Sequence, residues 1–255
     1  MFSGGLDDNY CFVFIGGLMP AFQLLKKNVV FVHIPKTGGS SIDDWLYSCK
    51  GCKRMLFSGK PLPDMKVTPQ HISYQTIIGL LGKEFSIDYA FAIVRNPFKR
   101  LESEYKYRLS LGLLSGHKKP ESLFASWVNY ALNHETKTPG TLDNHLRPQS
   151  FFVAPEVNVL KFEDGLVDAA QTVCRELHID FTEFTQFPHK KSSRKSQLQW
   201  TDKTIARVQR FYEKDFAEFG YDIAASELDR TGKTGVISYA RQLYHFERKH
   251  KRISA

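Results

Sequence analysis

The sequence predicts an α/β domain in which a parallel sheet is covered by helices on both faces. Apolar runs rich in β-branched residues (29–32, 88–96, 157–162) alternate with segments of helical spacing (42–49, 97–109, 166–177), the order that builds parallel sheets. The first run is continuously apolar, as strands buried on both faces are. A length of 255 residues suits one such domain, or a domain with a small appendage.

The chain is organised around residues 29–45, V-V-F-V-H-I-P-K-T-G-G-S-S-I-D-D-W. Pro35 ends the strand. Gly38 and Gly39 permit a tight turn and close backbone approach. Ser40 or Ser41 caps the helix that follows, where Ile42, Trp45 and Leu46 recur at helical spacing. A strand, a glycine turn and a helix N-terminus together make a phosphate cradle, with backbone N–H groups and the helix dipole aimed at an anion. The stretch is not a Walker A loop, G-x-x-x-x-G-K-[ST]. Lys36 precedes the glycines, and Gly39 stands where the Walker lysine would be.

The order P-K-T-G-G-S-S resembles the 5′-phosphosulfate loop of sulfotransferases that use 3′-phosphoadenosine 5′-phosphosulfate (PAPS). The form H-I-P-K-T-G-G-S-S is especially similar to the carbohydrate sulfotransferases, the group containing the heparan sulfate 2-O and 6-O enzymes. The resemblance spans residues 29–222. It implies a P-loop NTPase-like three-layer fold with a central parallel sheet of about five strands. It also implies that Pro35, Lys36, Thr37, Gly38, Gly39, Ser40, Ser41 and Ile42 bind the cofactor PAPS, with Lys36 neutralising charge on the transferring group.

Two further segments fit. Residues 88–96 read as a buried strand ending at Arg95, where open α/β sheets place ligand groups. Asn96 caps the next helix, with Pro97 at its first position. The run V-R-N-P-F-K-R-L-E-S-E-Y resembles the family's 3′-phosphate motif, which assigns Arg95 and Ser103 to that phosphate. A guanidinium gripping two oxygens and a hydroxyl donating to a third is sound chemistry. Because this strand ends in arginine where a nucleotide hydrolase needs an acidic magnesium ligand, no metal is expected. Thr68 and Pro69 read as the cap and first residue of a helix carrying His71 in its first turn, where the dipole disfavours imidazolium. The segment Q-H-I-S-Y resembles the family's catalytic-base stretch and makes His71 the base.

Later segments carry weaker signals. Residues 121–134 read as an amphipathic core helix. D-N-H-L-R-P-Q-S-F-F (143–152) resembles a polar segment of the family and makes His145 and Arg147 substrate-binding candidates. In the basic run F-P-H-K-K-S-S-R-K-S-Q (187–197), Lys191, Ser193 and Arg194 match by position a loop that closes over the nucleotide. R-F-Y-E-K-D-F-A-E-F-G-Y (210–221) is similar to the family's closing signature, and its aromatics read as packing.

The net charge of +8 favours anionic partners. The expected acceptor is a carbohydrate or another hydroxyl-bearing compound; nucleic acid is not expected, and oligomeric state is not readable. Two rivals stand beside sulfuryl transfer: a P-loop nucleotide kinase and a non-catalytic polyanion-binding protein. Cys49 and Cys52 form a lone C-x-x-C with no second pair for zinc, and read as structural. Residues 1–27 read as a lead-in, 28–222 as the sulfotransferase domain and 223–255 as a basic extension. The apolar stretch 10–25 lacks a basic flank and holds two glycines and a proline. A cytoplasmic location is the expectation, with membrane association through that stretch the alternative.

Overall fold

The computed structural model describes residues 21–55, 61, 65–112, 123–140, 142–184, 187, 198–225 and 228. Strand β1 (Ala21–Leu24) turns through Leu25 and Lys26 into β2 (Lys27–Val32). Helix α1 (Gly39–Tyr47), strand β3 (Lys53–Met55) and helix α2 (Tyr74–Leu81) follow. Next come β4 (Tyr89–Val94), α3 (Pro97–Ser110), α4 (Phe124–Lys137), β5 (Asn158–Lys161) and α5 (Leu166–Leu177). Helices α6 (Asp202–Phe211) and α7 (Glu213–Glu218) close the described part.

The five strands lie in the order β3-β1-β2-β4-β5. Strands β2, β4 and β5 are parallel, whereas β1 pairs antiparallel with both β2 and β3. The expected all-parallel sheet is therefore corrected to a mixed one. The reason is local: β1 and β2 are joined by two residues, and so short a connection makes only antiparallel neighbours. β1 lies in the apolar stretch that reads in sequence as a lead-in, so the sheet begins before residue 28. β3 has no counterpart among the elements expected from the sequence, because its residues K-R-M carry no apolar run to announce a strand.

Both faces of the central strands β2 and β4 are buried, and period-two alternation divides them. Val29, Phe31, Phe91 and Ile93 meet α1 and α5, with Trp45 stacked on Phe184 at 4.4 Å. Val30, Val32, Ala90, Ala92 and Val94 meet Ile77 of α2 together with Phe152 and Phe219. Helices α3, α4, α6 and α7 form a separate core around Phe98, Trp127 and Trp200. Among the described residues, no helix is long and apolar enough to cross a membrane.

The caps explain where helices start. Asn96 Oδ1 accepts from the N–H groups of Phe98 (3.0 Å) and Lys99 (3.4 Å), as its position before Pro97 predicts. Thr201 and Thr204 form a reciprocal capping box on α6. Two expected caps are corrected. α1 is preceded by Gly38 at φ 90°, and Ser40 and Ser41 lie inside its first turn. Pro69–His71 is a separate 3-10 turn, and α2 starts only at Tyr74, capped by Ser73. His71 is therefore not in the first turn of an α-helix, and the dipole argument made for it does not apply.

Candidate active site

The carboxyl ends of β2 and β4 bring the predicted residues to one edge of the sheet. After β2 the chain passes through buried His33, Ile34 and Pro35 to Lys36, whose φ of 69° is left-handed and strained for a lysine. Thr37 is fully buried, and its Oγ1 donates back to the Ile34 carbonyl at 2.9 Å. Lys36 Nζ lies 4.0 Å over the Tyr107 ring, and its ammonium pKa is lowered by burial despite the opposing pull of Glu104. Ser41 is buried and Ser40 exposed, with Ile42 in the core.

Gly39 is required by close packing. A Cβ there would lie 2.0 Å from His33 Cδ2 and Nε2. The His33 ring cannot yield easily: it stacks on Phe31 at 5.5 Å and meets His71 edge-on at 5.2 Å. Its Nδ1 accepts from Gln70 Nε2 at 3.0 Å, which leaves the proton on Nε2. Burial, then the charges of His71, His145 and Lys36, push the His33 pKa well below its usual value, so it is neutral at pH 7.

Arg95 follows β4 directly. Gln149 brackets its backbone, Oε1 accepting from Arg95 N (2.9 Å) and Nε2 donating to Arg95 O (2.8 Å). The guanidinium sits 4.1 Å over the Phe162 ring and donates to the Lys36 carbonyl at 3.3 Å. Its Nε has no hydrogen-bond partner. Ser103 lies two turns further along, half-buried in α3. Arg100 on the same helix is turned inward. Its three nitrogens donate to the carbonyls of Pro35 (2.9 Å), Arg147 (2.8 Å) and His145 (2.9 Å), stapling the loop after β2 to the segment before Gln149.

Two histidine–carboxylate dyads stand side by side. His71 Nδ1 donates to Asp143 Oδ2 at 2.7 Å, and His145 Nδ1 donates to Glu104 Oε2 at 2.7 Å. The rings meet edge to face with centroids 4.9 Å apart. In each dyad the carboxylate fixes the proton on Nδ1 and leaves Nε2 as a lone-pair acceptor. Burial alone would raise the Asp143 carboxyl, but hydrogen bonds from His71 and Thr68 outweigh it and hold it at about 2. Burial likewise opposes the outcome at Glu104, where His145 and Arg108 prevail and hold it at about 2. Burial lowers the His145 pKa, against the pull of Glu104.

Leu142, Asp143 and Asn144 all have φ between 56° and 65°, a single left-handed turn. Asp and Asn tolerate this conformation better than most residues. The turn aims Asp143 at His71 and Thr68, while Asn144 Nδ2 donates to the His71 carbonyl at 2.7 Å. His71, Asp143 and His145 offer ligand atoms within 4.8 Å of one another, a spacing a metal could bridge. The 2.7 Å Nδ1···Oδ2 contact is instead a hydrogen bond, and Thr68 already donates twice to the same carboxylate.

The expected residues thus divide. The 35–42 loop, His71, Arg95 and His145 share one edge of the sheet. Arg147 turns elsewhere, its Nε 3.4 Å from Glu135 Oε1 and its guanidinium 4.4 Å over the Phe151 ring. Lys191, Ser193 and Arg194 lie outside the described residues. Sequence reasoning missed His33, Arg100, Glu104, Asp143, Asn144 and Gln149. Only the adjacent Asp143-Asn144 pair carried a signal, as a turn.

The Cys49 and Cys52 thiols are free, and burial pushes both up, Cys52 to about 12. This is the opposite of what a thiolate nucleophile needs.

The molecule is thus an α/β protein with a glycine turn, an arginine and two histidine–carboxylate dyads at the carboxyl edge of its parallel strands. The family model described as "Sulfotransferase family" matches residues 22–222, and the chain belongs to that family. No curated protein and no solved structure matches it.

Proposed function

We propose that the protein transfers a sulfuryl group from PAPS to a hydroxyl of a carbohydrate acceptor, on a P-loop-like fold. The observation that carries this reading is the joining of two anion-binding elements. The Arg95 guanidinium reaches the carbonyl of Lys36 at 3.3 Å, so the arginine after β4 and the loop after β2 form one continuous wall. PAPS supplies an activated sulfuryl group on a phosphate leaving group. The residues present suit it. The 35–42 loop takes the 5′ end through backbone N–H groups ahead of Ser41 and Ile42, whose own N–H groups bond the Gly38 carbonyl, together with the Ser40 and Ser41 hydroxyls. Arg95, with Ser103, takes the 3′-phosphate through donors not spent on Lys36. Lys36 places positive charge where negative charge develops.

His71 is the base in this reading. Its Nε2 takes the acceptor hydroxyl proton, while Asp143 holds the Nδ1 proton and stabilises the imidazolium that forms, the role of the carboxylate in a catalytic triad. His145, neutral at pH 7, orients the acceptor. The protein's work is positioning and electrostatics.

A transfer assay with radiolabelled PAPS tests it, run with a chelator against polysaccharides, glycolipids and small hydroxyl compounds. Label should appear on at least one hydroxyl acceptor. Phosphoryl transfer from ATP and Mg²⁺ without any sulfuryl transfer would overturn the reading in favour of a kinase, and turnover that required Mg²⁺ would overturn its metal-free form.

A further inference from the structure

Helix α6 carries Lys203, Arg207 and Arg210 at spacings of four and three, which places them on one face. Helix α6 packs on α4, and that basic face lines a cleft of about 730 Å³. Arg147 enters the cleft from the segment that also carries His145, and Phe211 gives it an apolar wall. Like charges one turn apart destabilise a helix, so the arrangement lacks a structural benefit within α6. The acidic residue in the cleft, Glu135, is buried and spends Oε1 on the Gly140 N–H at 3.1 Å. Burial raises its pKa, against the pull of Gly140 and Arg147. Arg147 Nε has the Glu135 carboxylate at 3.4 Å but no well-formed hydrogen bond, and Arg207, which donates to Asn133 Oδ1 through one nitrogen, keeps its Nε without a partner. Four cations around an apolar wall, with one buried carboxylate between them, leave an excess of positive charge and make a site for clustered anions.

We infer that this cleft binds a ligand bearing two or more sulfate, phosphate or carboxylate groups, and that the ligand is the flank of the acceptor chain. The connection to the acceptor lies in one short segment. His145 turns its ring to His71, and Arg147, two residues on, turns into the cleft. Cα atoms two residues apart lie within about 7 Å of each other, so an extended acceptor presented to the histidines continues into the cleft. The anion site stands on the cleft alone, whereas its assignment to the acceptor rests on the sulfuryl-transfer reading.

The experiment compares the full-length protein with K203Q/R207Q/R210Q and with K26Q/K50Q/K53Q, which removes equal charge at the opposite end of the sheet. Calorimetry with dextran sulfate oligosaccharides, and with unsulfated dextran as the blank, should show at least a tenfold loss of affinity in the first variant. The second should stay within about threefold of wild type, and the salt dependence of binding should become shallower only in the first. Equal losses in both variants would reduce the effect to net charge and overturn the site. Adenosine 3′,5′-bisphosphate should bind all three proteins alike; a loss confined to the first variant would place the cleft in the nucleotide site and overturn the inference. In turnover, KM for an anionic acceptor should rise about tenfold in the first variant while kcat holds. An unchanged KM alongside lost dextran sulfate binding would overturn the acceptor assignment. If wild type binds dextran sulfate through the cleft but sulfates nothing, the anion site is upheld and the sulfuryl-transfer reading is what fails.

Discussion

Substitution of Gly39 by alanine tests how tightly the loop is built against the histidines. In an open helix this change would stabilise by roughly 0.5–1 kcal/mol, because glycine loses more backbone freedom. Here the new Cβ would lie 2.0 Å from His33 Cδ2 and Nε2. Carbon contacts are optimal at roughly 3.5–4.0 Å, so ring or loop must move by more than about 1 Å. The ring is only 6% exposed and is held by Phe31, His71 and Gln70. Forcing volume into such a site costs about 1–3 kcal/mol, which outweighs the helix gain. Urea unfolding of Gly39→Ala, His33→Ala and the double variant measures this directly. Gly39→Ala should lose about 1–2 kcal/mol in the wild-type background. It should be neutral or stabilising once His33 is alanine, a coupling within the range of about 0.5–3 kcal/mol for residues in contact. Equal losses in both backgrounds, or no loss in either, would refute the steric argument.

Under the proposed reaction, Arg95→Ala should weaken adenosine 3′,5′-bisphosphate by roughly 2–4 kcal/mol in calorimetry, the range for truncating one member of a buried charge pair; unchanged affinity would move the 3′-phosphate elsewhere. His71→Ala and Asp143→Asn should each lower kcat by roughly 10²–10⁴ and leave nucleotide affinity intact, and an Asp143→Asn enzyme of normal rate would count against the dyad. Arg100→Met strands the carbonyls of Pro35, His145 and Arg147 and should cost at least about 3 kcal/mol in urea unfolding, at about 1–3 kcal/mol per unpaired buried group; a milder loss would mean that the staple is redundant. Acid should weaken the fold in two stages. The depressed His33 and His145 make the unfolded chain bind protons first as pH falls below the usual histidine value, and Glu104, held at about 2, adds a second loss from the ordinary carboxylate range down to 2. At 1.36 kcal/mol per pKa unit the Glu104 share is about 3 kcal/mol. Urea midpoints from pH 7 to 3 should fall less steeply in Glu104→Gln, and an identical slope would remove Glu104 from the account.

Elements written in local chemistry were legible. The Asn96-Pro97 cap gave the start of α3, and 166–177 coincides with α5 because its apolar positions repeat at helical spacing. The glycine loop was found because strand, turn and helix follow one another without a break. β1 and β3 were not legible, since their identity depends on pairing with β2 and with each other. The start of α2 failed for a different reason. Thr68-Pro69 and Ser73 are both good helix starts, and packing of Pro69 and His71 in the site chose a 3-10 turn between them. The carboxylate partners stayed hidden because they are distant in sequence. Glu104 lies on α3 and meets His145, while Asp143 meets His71 from a loop 72 residues away.

That hidden partnership reverses the electrostatic logic at His71. A helix N-terminus would keep the imidazole neutral at rest and would then oppose the positive charge that a base must acquire in the transition state. A carboxylate at 2.7 Å favours that charge as it forms. The neighbouring rings add a constraint of their own, because three imidazoles this close cannot all be cationic. Burial keeps His33 and His145 neutral at pH 7. Asp143, held by Thr68 in a left-handed turn, aims its carboxylate at the Nδ1–H of His71. The strain of that turn sits at the Nδ1 side of the ring, across from the Nε2 that the proposed reaction would protonate. A relaxed 142–144 loop would lose the aim of Asp143 first, before it lost the fold.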